Sequence, residues 1–446
     1  MKRHLLPAVF LFLGTSLSIP VTAQQTAVEF FENGINRSKS SDFTGALQAF
    51  SMAITMNPEN APSYYNRGLA KANLKDHRGA ILDYDKAIEL NSKDAMAYLS
   101  RGVSKSRQED HRGALLDFSR SIELNPDDPQ AYYNRGISRS RIDQYQSALT
   151  DFSKAIELEP TNAYSYFARA VTKQKLSDFA GSVLDFAKVI DITPKRAQAY
   201  AGRGMSKVEL KDFAGAVTDL NKAIELSPED SESYFYRAYA KGKLDDYKGA
   251  LPDYERALAL KPDHYRAYYG RGFCRSKLGD QKGAVQDFNQ AIEINNVNVD
   301  TKVVYNGRIT HAILDNLRNL VQERDKINEL GAERAEAYFS RGVSKHKQGD
   351  SKAALIDLSK SIELNPAYAE AYFSRGLIKS AQGDQKGSLT DCNSAIKLKP
   401  GYAEVFYVRG LIKHSLGDEN GGCLDLSKAG ELGYTPAYKV ISEYCN

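Results

Sequence analysis

The sequence predicts an all-α solenoid, a stack of short helical hairpins that repeats every 34 residues. Three observations lead to this fold class. An aromatic residue and a small residue recur in the same register, and every unit holds two apolar patterns with helical periodicity. Because two short amphipathic helices cannot bury their apolar faces alone, neighbouring units must stack. Prolines recur at a spacing of 34, as Pro126, Pro160, Pro194, Pro228 and Pro262.

Length and composition agree with a repeat array. The chain has 446 residues, more than one ordinary core holds, and is 42% hydrophobic and 26% charged. Its 60 basic and 56 acidic residues give a net charge of +4. This balance argues against nucleic acid or an anionic membrane surface as the partner.

The first 23 residues are predicted to be a secretory signal peptide. A basic start (MKRH) precedes a short apolar stretch, and small residues at Val21 and Ala23 suit cleavage after Ala23. No later segment is apolar enough to span a bilayer. We therefore expect an exported protein, periplasmic or secreted.

The unit that begins at Pro129 illustrates the predicted hairpin. Its first half places Tyr132 and Gly136 at helical spacing and breaks around Asp143. Its second half repeats apolar residues three and four apart and stops at Pro160. Positions below count from the first residue of a unit. Units begin at residues 61, 95, 129, 163, 197, 231, 265, 335, 369 and 403, after an irregular first unit at about 27–60.

The pattern resembles the tetratricopeptide repeat family over nearly the whole mature chain. The family has a large aromatic at position 4 and a small residue at position 8, where the two helices of a hairpin approach closely. Position 4 here is Tyr64, Tyr98, Tyr132, Tyr166, Tyr200, Tyr234, Tyr268, Tyr338, Tyr372 and Phe406. Position 8 is Gly68, Gly102, Gly136, Ala170, Gly204, Ala238, Gly272, Gly342, Gly376 and Gly410. The resemblance implies a right-handed superhelix that binds protein or peptide partners in a concave groove.

The repeat signature divides the chain into segments. About eight repeats, the first irregular, cover residues 24–298, and three more cover 335–436. Between them, residues 299–334 are interpreted as a degenerate repeat or a kink, either a drifted repeat that packs normally or a hinge or special contact site. Residues 437–446 are interpreted as a C-terminal capping helix.

Arginine at position 7 and aspartate at position 23 recur together. The first unit lacks both, with Asn33 and Ala49 in their places, which indicates that the two side chains meet. We predict a bridge within each hairpin, since pairing between hairpins would leave end residues without partners. The alternative is a row of arginines for an acidic ligand. The pairs are Arg67–Asp83, Arg101–Asp117, Arg135–Asp151, Arg169–Asp185, Arg203–Asp219, Arg237–Asp253, Arg271–Asp287, Arg341–Asp357, Arg375–Asp391 and Arg409–Asp425.

A second basic residue stands at position 11, four residues after the arginine. The first unit keeps one, Arg37, although it lacks the aspartate. We therefore expect this residue to be independent of the pair, either reaching solvent or meeting loop acids such as Asp76 and Asp110.

The four cysteines fall into two groups. Cys274 and Cys392 occupy core positions and are expected to be buried thiols. Cys423 lies on the last repeat and Cys445 on the cap. In an exported chain these two could form a disulfide, and two free thiols are the alternative.

No catalytic, cofactor or metal site is predicted. No local signature joins serine to histidine and acid, and the glycine turns lack phosphate-loop spacing. His77 and His111 lie in neighbouring turns without a closely spaced third ligand set.

The resemblance places the groove on first-helix positions 5, 9, 12 and 13. The aromatic and aliphatic candidates are Tyr65, Leu69, Tyr133, Ile137, Phe167, Phe235, Tyr269, Phe339, Phe373 and Tyr407. The basic candidates at position 13 are Arg107, Arg141 and Lys175, with Lys243, Lys277 and Lys347 further along. Such a ribbon suits an extended or helical peptide with apolar anchors and some acid. Some of these side chains could instead be inter-repeat packing.

The sequence therefore predicts a non-enzymatic scaffold for protein or peptide partners. The alternatives are a structural component that organises a cell-envelope assembly, and a groove whose tyrosines stack on glycans.

Overall fold

The predicted all-α solenoid is confirmed by the computed structural model. It describes the backbone of residues 21–306 and 316–445, and the side chains of 26–295 and 331–445. The predicted signal peptide lies outside the described residues as far as residue 20. So do residues 307–315 of the predicted degenerate segment.

Within the described residues the chain forms 23 helices and no strand. They are α1 (Val21–Lys39), α2 (Phe43–Met56), α3 (Ala61–Asn73), α4 (His77–Leu90), α5 (Ala95–Arg107), α6 (His111–Leu124), α7 (Pro129–Arg141), α8 (Tyr145–Leu158), α9 (Ala163–Lys175), α10 (Phe179–Ile192), α11 (Ala197–Glu209), α12 (Phe213–Leu226), α13 (Ser231–Lys243), α14 (Tyr247–Leu260), α15 (Tyr265–Lys277), α16 (Gln281–Asn306), α17 (Asn316–Lys347), α18 (Ser351–Leu364), α19 (Ala369–Ala381), α20 (Gln385–Leu398), α21 (Ala403–Ser415), α22 (Glu419–Glu431) and α23 (Pro436–Tyr444).

The helices belong to two compact parts of the chain, which divide within α11. From here on they are called the first unit (Met1–Gly202) and the second unit (Arg203–Asn446), and each 34-residue segment is called a repeat. In each unit odd-numbered and even-numbered helices pair as hairpins, and each hairpin packs on the next. The first helix of a hairpin is referred to as helix A and the second as helix B.

Close approach of the two helices explains the small residue at position 8. A Cβ added at Gly136 would lie 2.7 Å from the ring of Phe152, which is fully buried on helix B. The turn between the helices also follows from local chemistry. Asp76, for example, accepts a hydrogen bond from the backbone N–H of Gly79 and so caps α4.

The segment interpreted as a degenerate repeat or kink is an insertion between two repeats that contact each other directly. Tyr269 Oη lies 3.2 Å from Ser340 Oγ, as Tyr65 Oη lies 3.4 Å from Ser100 Oγ in the adjacent repeats of the first unit. Arg341 also donates to Asn289, on helix B of the repeat before the insertion. No further repeat is therefore stacked between these two.

The insertion lengthens two helices instead. Helix α16 has 26 residues and α17 has 32, whereas a regular hairpin such as α7–α8 has helices of 13 and 14 residues. Glu333 fixes α17 to α15, since its carboxylate accepts hydrogen bonds from Tyr265 and Arg266 at 2.5 and 2.9 Å.

The C-terminal helix α23 packs against α22, and a disulfide joins the two ends of this cap. Cys423 and Cys445 have an S–S distance of 2.02 Å. Cys274 and Cys392 are buried free thiols, and burial raises the pKa of each to about 11. Both are therefore neutral and unreactive near neutral pH.

Candidate partner-binding surface

The arginines at position 7 lie against the aspartates of their own hairpins. Arg67 donates from Nη2 to Asp83 Oδ1 at 2.6 Å and from Nε to Oδ2 at 2.9 Å. The same two-point contact joins Arg341 to Asp357, at 2.6 and 2.8 Å. Each aspartate is almost fully buried, so this ion pair belongs to the interior of the hairpin. The other position-7 arginines bind in the same way, namely Arg101, Arg135, Arg169, Arg203, Arg237, Arg271, Arg375 and Arg409.

The expectation for position 11 was wrong, because its cation binds the same aspartate. Lys71 Nζ lies 2.8 Å from Asp83 Oδ2, and Arg139 Nη1 lies 2.7 Å from Asp151 Oδ2. In the first hairpin, which has no aspartate at position 23, Arg37 binds the loop acid Asp42 at 2.7 Å. Equivalent contacts occur at Lys105, Lys173, Lys207, Lys241, Arg275, Lys345, Lys379 and Lys413.

The position-7 arginine also reaches the preceding hairpin. Nη1 of Arg101 donates to Asp85 at 2.6 Å, and Nη1 of Arg169 donates to Ser153 at 3.1 Å. The guanidinium of Arg101 lies 5.4 Å from the ring centroid of Tyr98, the aromatic residue at position 4. At least eight of the ten arginines hold three helices together in this way, with Nε, Nη1 and Nη2 all engaged within the array. This occupancy speaks against the arginines as a row of sites for an acidic ligand.

The aromatic residues at position 5 are largely packed into the array. Tyr133 lies 6.1 Å from the ring of Phe152, Phe167 lies 5.5 Å from that of Phe186, and Phe235 is buried against Tyr254. Tyr65 and Tyr269 make equivalent contacts with rings on helix B, at 5.9 and 5.6 Å. The rings of Phe339, Phe373 and Tyr407 instead lie 4.9–5.2 Å from tyrosines in the segments that follow helix B, namely Tyr368, Tyr402 and Tyr434. Burial raises the pKa of Tyr65 and Tyr133 above the usual tyrosine value. Much of the surface of these rings therefore stabilises the hairpins.

Position 9 is more open in the second unit than in the first. Leu69 and Ile137 are half-buried. In the second unit Tyr239, Phe273 and Leu377 are 37%, 39% and 41% exposed. Helices A of the second unit therefore present large apolar side chains to solvent.

The basic residues at position 13 are exposed and stand at the ends of their A helices. Among the described residues, none of the six has a carboxylate within ion-pair distance. Lys243 and Lys277 lie instead over the rings of Tyr239 and Phe273, at 5.1 and 5.4 Å. The six are Arg107, Arg141, Lys175, Lys243, Lys277 and Lys347.

Family models of the tetratricopeptide repeat match five segments of the chain. The matches cover residues 61–94, 129–162, 197–230, 235–298 and 335–368. The chain is a tetratricopeptide repeat protein. Repeats of this type generally form non-enzymatic scaffolds for protein interaction, and no enzymatic family is indicated.

Solved structures of other tetratricopeptide repeat proteins align with parts of this one. A protein from Parabacteroides merdae is 20% identical, over 56% of this chain and 99% of its own, with a TM-score of 0.42. YrrB, described as having an unusual peptide-binding site, is 24% identical over 42% of this chain and 96% of its own, with a TM-score of 0.39. No curated protein matches the chain.

In this tetratricopeptide repeat protein the three candidate positions differ in their availability. Position 5 is mostly packed, position 9 is open in part, and position 13 is exposed and charged. No helix within the described residues has the length and apolar character needed to cross a membrane.

Proposed function

We propose that this protein binds acidic protein or peptide partners through the exposed side chains of its A helices. The cations at position 13 carry the proposal, because none of them has a carboxylate partner among the described residues, whereas the cations at positions 7 and 11 of the same helices do. Partner carboxylates would neutralise them, and apolar partner side chains would contact position 9.

In the first unit the basic candidates lie on three successive A helices, at the ends of α5, α7 and α9. Arg107, Arg141 and Lys175 are 34 residues apart and occupy equivalent places in adjacent repeats. An extended segment with spaced acidic residues can therefore meet more than one of them.

In the second unit the charge is combined with exposed aromatic surface. Tyr239 and Phe273 lie on α13 and α15, and each carries a lysine at ring-contact distance. Such lysines can pair with acid while the rings contact an apolar neighbour. The proposed anchors are thus position 9 and position 13, in place of the packed rings at position 5.

A cation in the last turn of a helix also interacts favourably with the helix dipole, by about 0.3–1 kcal/mol. This effect supports the hairpin whether or not a partner binds. It is separable from binding, since reversing the charge should change stability little and partner capture strongly.

The test is a pull-down with the purified chain from extracts of its native cell, quantified by mass spectrometry. The test variant combines Arg107→Glu, Arg141→Glu and Lys175→Glu. The matched control, Arg120→Glu with Lys154→Glu and Lys188→Glu, changes the charge equally in the same three repeats but on B helices. Acidic proteins captured by the wild type should be lost with the test variant and retained with the control.

Equal capture by the wild type and both variants would contradict the proposal. Loss of binding only in the double variant Tyr133→Ala, Tyr269→Ala would favour a groove whose tyrosines stack on glycans. If neither the charge-reversal variant nor the tyrosine variant alters any interaction, the result would favour a structural role in organising an assembly.

Export of the chain remains part of this proposal. It is supported by the signal-like first 23 residues and by the disulfide between Cys423 and Cys445, a bond typical of oxidising compartments. N-terminal sequencing of the protein from its native cell should give a chain that begins at Gln24. An intact N-terminus would contradict export by this signal.

A further inference from the structure

A second cationic site stands apart from position 13, in the turn before α11. Residues 193–196 and Gln198 line a cavity of about 760 Å³ together with Ala163 and Tyr164 at the start of α9. The lining contains two cations, Lys195 and Arg196, and no acidic side chain.

Aromatic rings hold the guanidinium of Arg196. Its central carbon lies 4.2 Å from the ring centroid of Phe167 and 5.0 Å from that of Tyr164. Stacking on rings occupies the face of a guanidinium and leaves its in-plane N–H donors for an acceptor. Within the described part of the chain, no carboxylate pairs with this guanidinium. Arg196 therefore differs from the ten arginines at position 7, each of which has its own aspartate.

The turn that carries Arg196 is held in place by hydrogen bonds. The backbone N–H of Arg196 donates to Thr193 O at 3.1 Å, and Tyr200 donates from its hydroxyl to Pro194 O at 3.2 Å. The side chain of Thr193 donates to Val189 O at 2.8 Å. A cation on such a fixed turn is pre-organised for a ligand.

The same register position has a different task in the preceding repeats. Asn60, Asp94, Asp128 and Asn162 accept backbone N–H groups of the helix that follows and so cap it. Arginine has no acceptor and cannot form this cap, which typically stabilises a helix by about 1 kcal/mol. Residue 196 therefore provides a cation, without a carboxylate partner among the described residues, at a position where a capping side chain would stabilise the helix.

We infer that the cavity around Arg196 binds a carboxylate of a partner peptide. The guanidinium fork would donate two hydrogen bonds to it, and Lys195 would add charge. The rings of Tyr164 and Phe167, with Pro194, would contact an adjacent apolar group. The carboxylate could belong to an acidic side chain or to a chain terminus. This site does not depend on the position-13 cations, so the Arg107, Arg141 and Lys175 triple variant should retain it.

The first measurement follows the Nε–H resonance of Arg196 in protein labelled with ¹⁵N-arginine. Three acetylated tripeptides serve as probes: Leu-Glu-Leu amide, Leu-Gln-Leu amide and Leu-Gln-Leu free acid. We expect one or both carboxylate peptides to shift the resonance saturably, and the neutral amide to leave it in place. Which carboxylate peptide binds identifies the source. The inference is overturned if the neutral amide shifts the resonance equally, or if no peptide shifts it.

The second measurement separates binding from folding with Arg196→Asn, which restores the cap found at Asn60 and Asn162. Saturation-transfer NMR on the peptide methyl groups should show at least a tenfold loss of affinity, while the melting temperature stays the same or rises. Arg120→Asn, on helix B of an earlier repeat, is the control and should bind as the wild type does. A lower melting temperature with unchanged affinity would make Arg196 a structural residue and overturn the inference.

Discussion

Helix α7 carries three basic side chains in two different environments. Arg135 and Arg139 both bind the buried carboxylate of Asp151, at 2.8 and 2.7 Å. Arg141, two residues further on, is exposed, and no carboxylate pairs with it among the described residues. The same contrast recurs on α5, α9, α13, α15 and α17. Position within the repeat, rather than side-chain type, separates the cations that hold the hairpin from those available to a partner.

The first hairpin has a cation at position 11 and no carboxylate at position 23. Arg37 forms an ion pair with Asp42, which lies in the turn between the helices, and both side chains are about half exposed. The buried aspartate at position 23 is thus what draws the position-11 cation into the hairpin in the other repeats.

The largest effect is expected from removing that carboxylate. Asp151→Ala leaves two guanidinium groups without their buried partner and should lower the free energy of unfolding by about 3–5 kcal/mol. Urea denaturation of the full chain measures the change. Asp127→Ala removes an exposed acid from the neighbouring turn and serves as the control. Equal shifts for both variants would contradict a structural role for Asp151.

The next effect concerns the cap, where a covalent bond joins the last helices. Breaking the disulfide, which closes a loop of 22 residues, should destabilise α22 and α23 by about 3 kcal/mol. Hydrogen exchange in these helices, with and without reductant, measures the loss. Reductant should have no effect on the Cys423→Ser, Cys445→Ser double variant. Unchanged exchange in the reduced wild type would show that packing alone holds the cap.

Building the missing carboxylate into the first hairpin tests how the ion pair is specified. Ala49→Asp places an acid at a buried position and should destabilise the hairpin by about 1–3 kcal/mol. Adding Asn33→Arg should recover most of that loss by completing the pair. A double-mutant cycle on urea midpoints measures the coupling. Additive effects of the two changes would contradict pairing between positions 7 and 23.

The smallest effect is expected where one cation replaces another at position 11. Lysine occupies this position in eight of the ten aspartate-containing repeats, so Arg139→Lys should change the free energy of unfolding by less than about 1 kcal/mol. Arg135→Lys should lower it more, because a lysine cannot make the two parallel hydrogen bonds of a guanidinium. Thermal unfolding compares the two variants. A smaller effect at Arg135 than at Arg139 would contradict the different roles given to them.

The sequence predicted the period, the hairpins and the family because each rests on residues repeated ten times. The Arg67–Asp83 contact could also be inferred, since Asn33 and Ala49 replace both partners in the first repeat. Its place within one hairpin followed from the end residues that pairing between hairpins would leave without partners. The contact of Lys71 with Asp83 was missed because Arg37 persists without that aspartate. The structure shows the reason, because Arg37 pairs with Asp42 in the turn of its own hairpin.

Two further features needed three-dimensional contacts. The insertion near residues 299–334 is slightly longer than one 34-residue repeat, and this length is compatible with a drifted repeat. Only the contacts between Tyr269 and Ser340 and between Arg341 and Asn289 show that the flanking repeats are neighbours. Likewise, periodicity places positions 5 and 9 on one helix but does not tell which is covered by helix B. Arg196 could have been noticed as the first residue to depart from a run of Asn and Asp at its register position, after Asn60, Asp94, Asp128 and Asn162.

We propose that neighbouring cations on one helix serve folding and binding separately. The most direct test compares Arg135→Gln with Arg141→Gln, which remove the same charge from α7. For each variant, the urea midpoint and the capture of acidic proteins from the native extract are measured. Arg135→Gln should lower the midpoint, whereas Arg141→Gln should leave it unchanged and reduce capture. If Arg141→Gln lowered the midpoint as much as Arg135→Gln, or left capture unchanged, the claim would be contradicted.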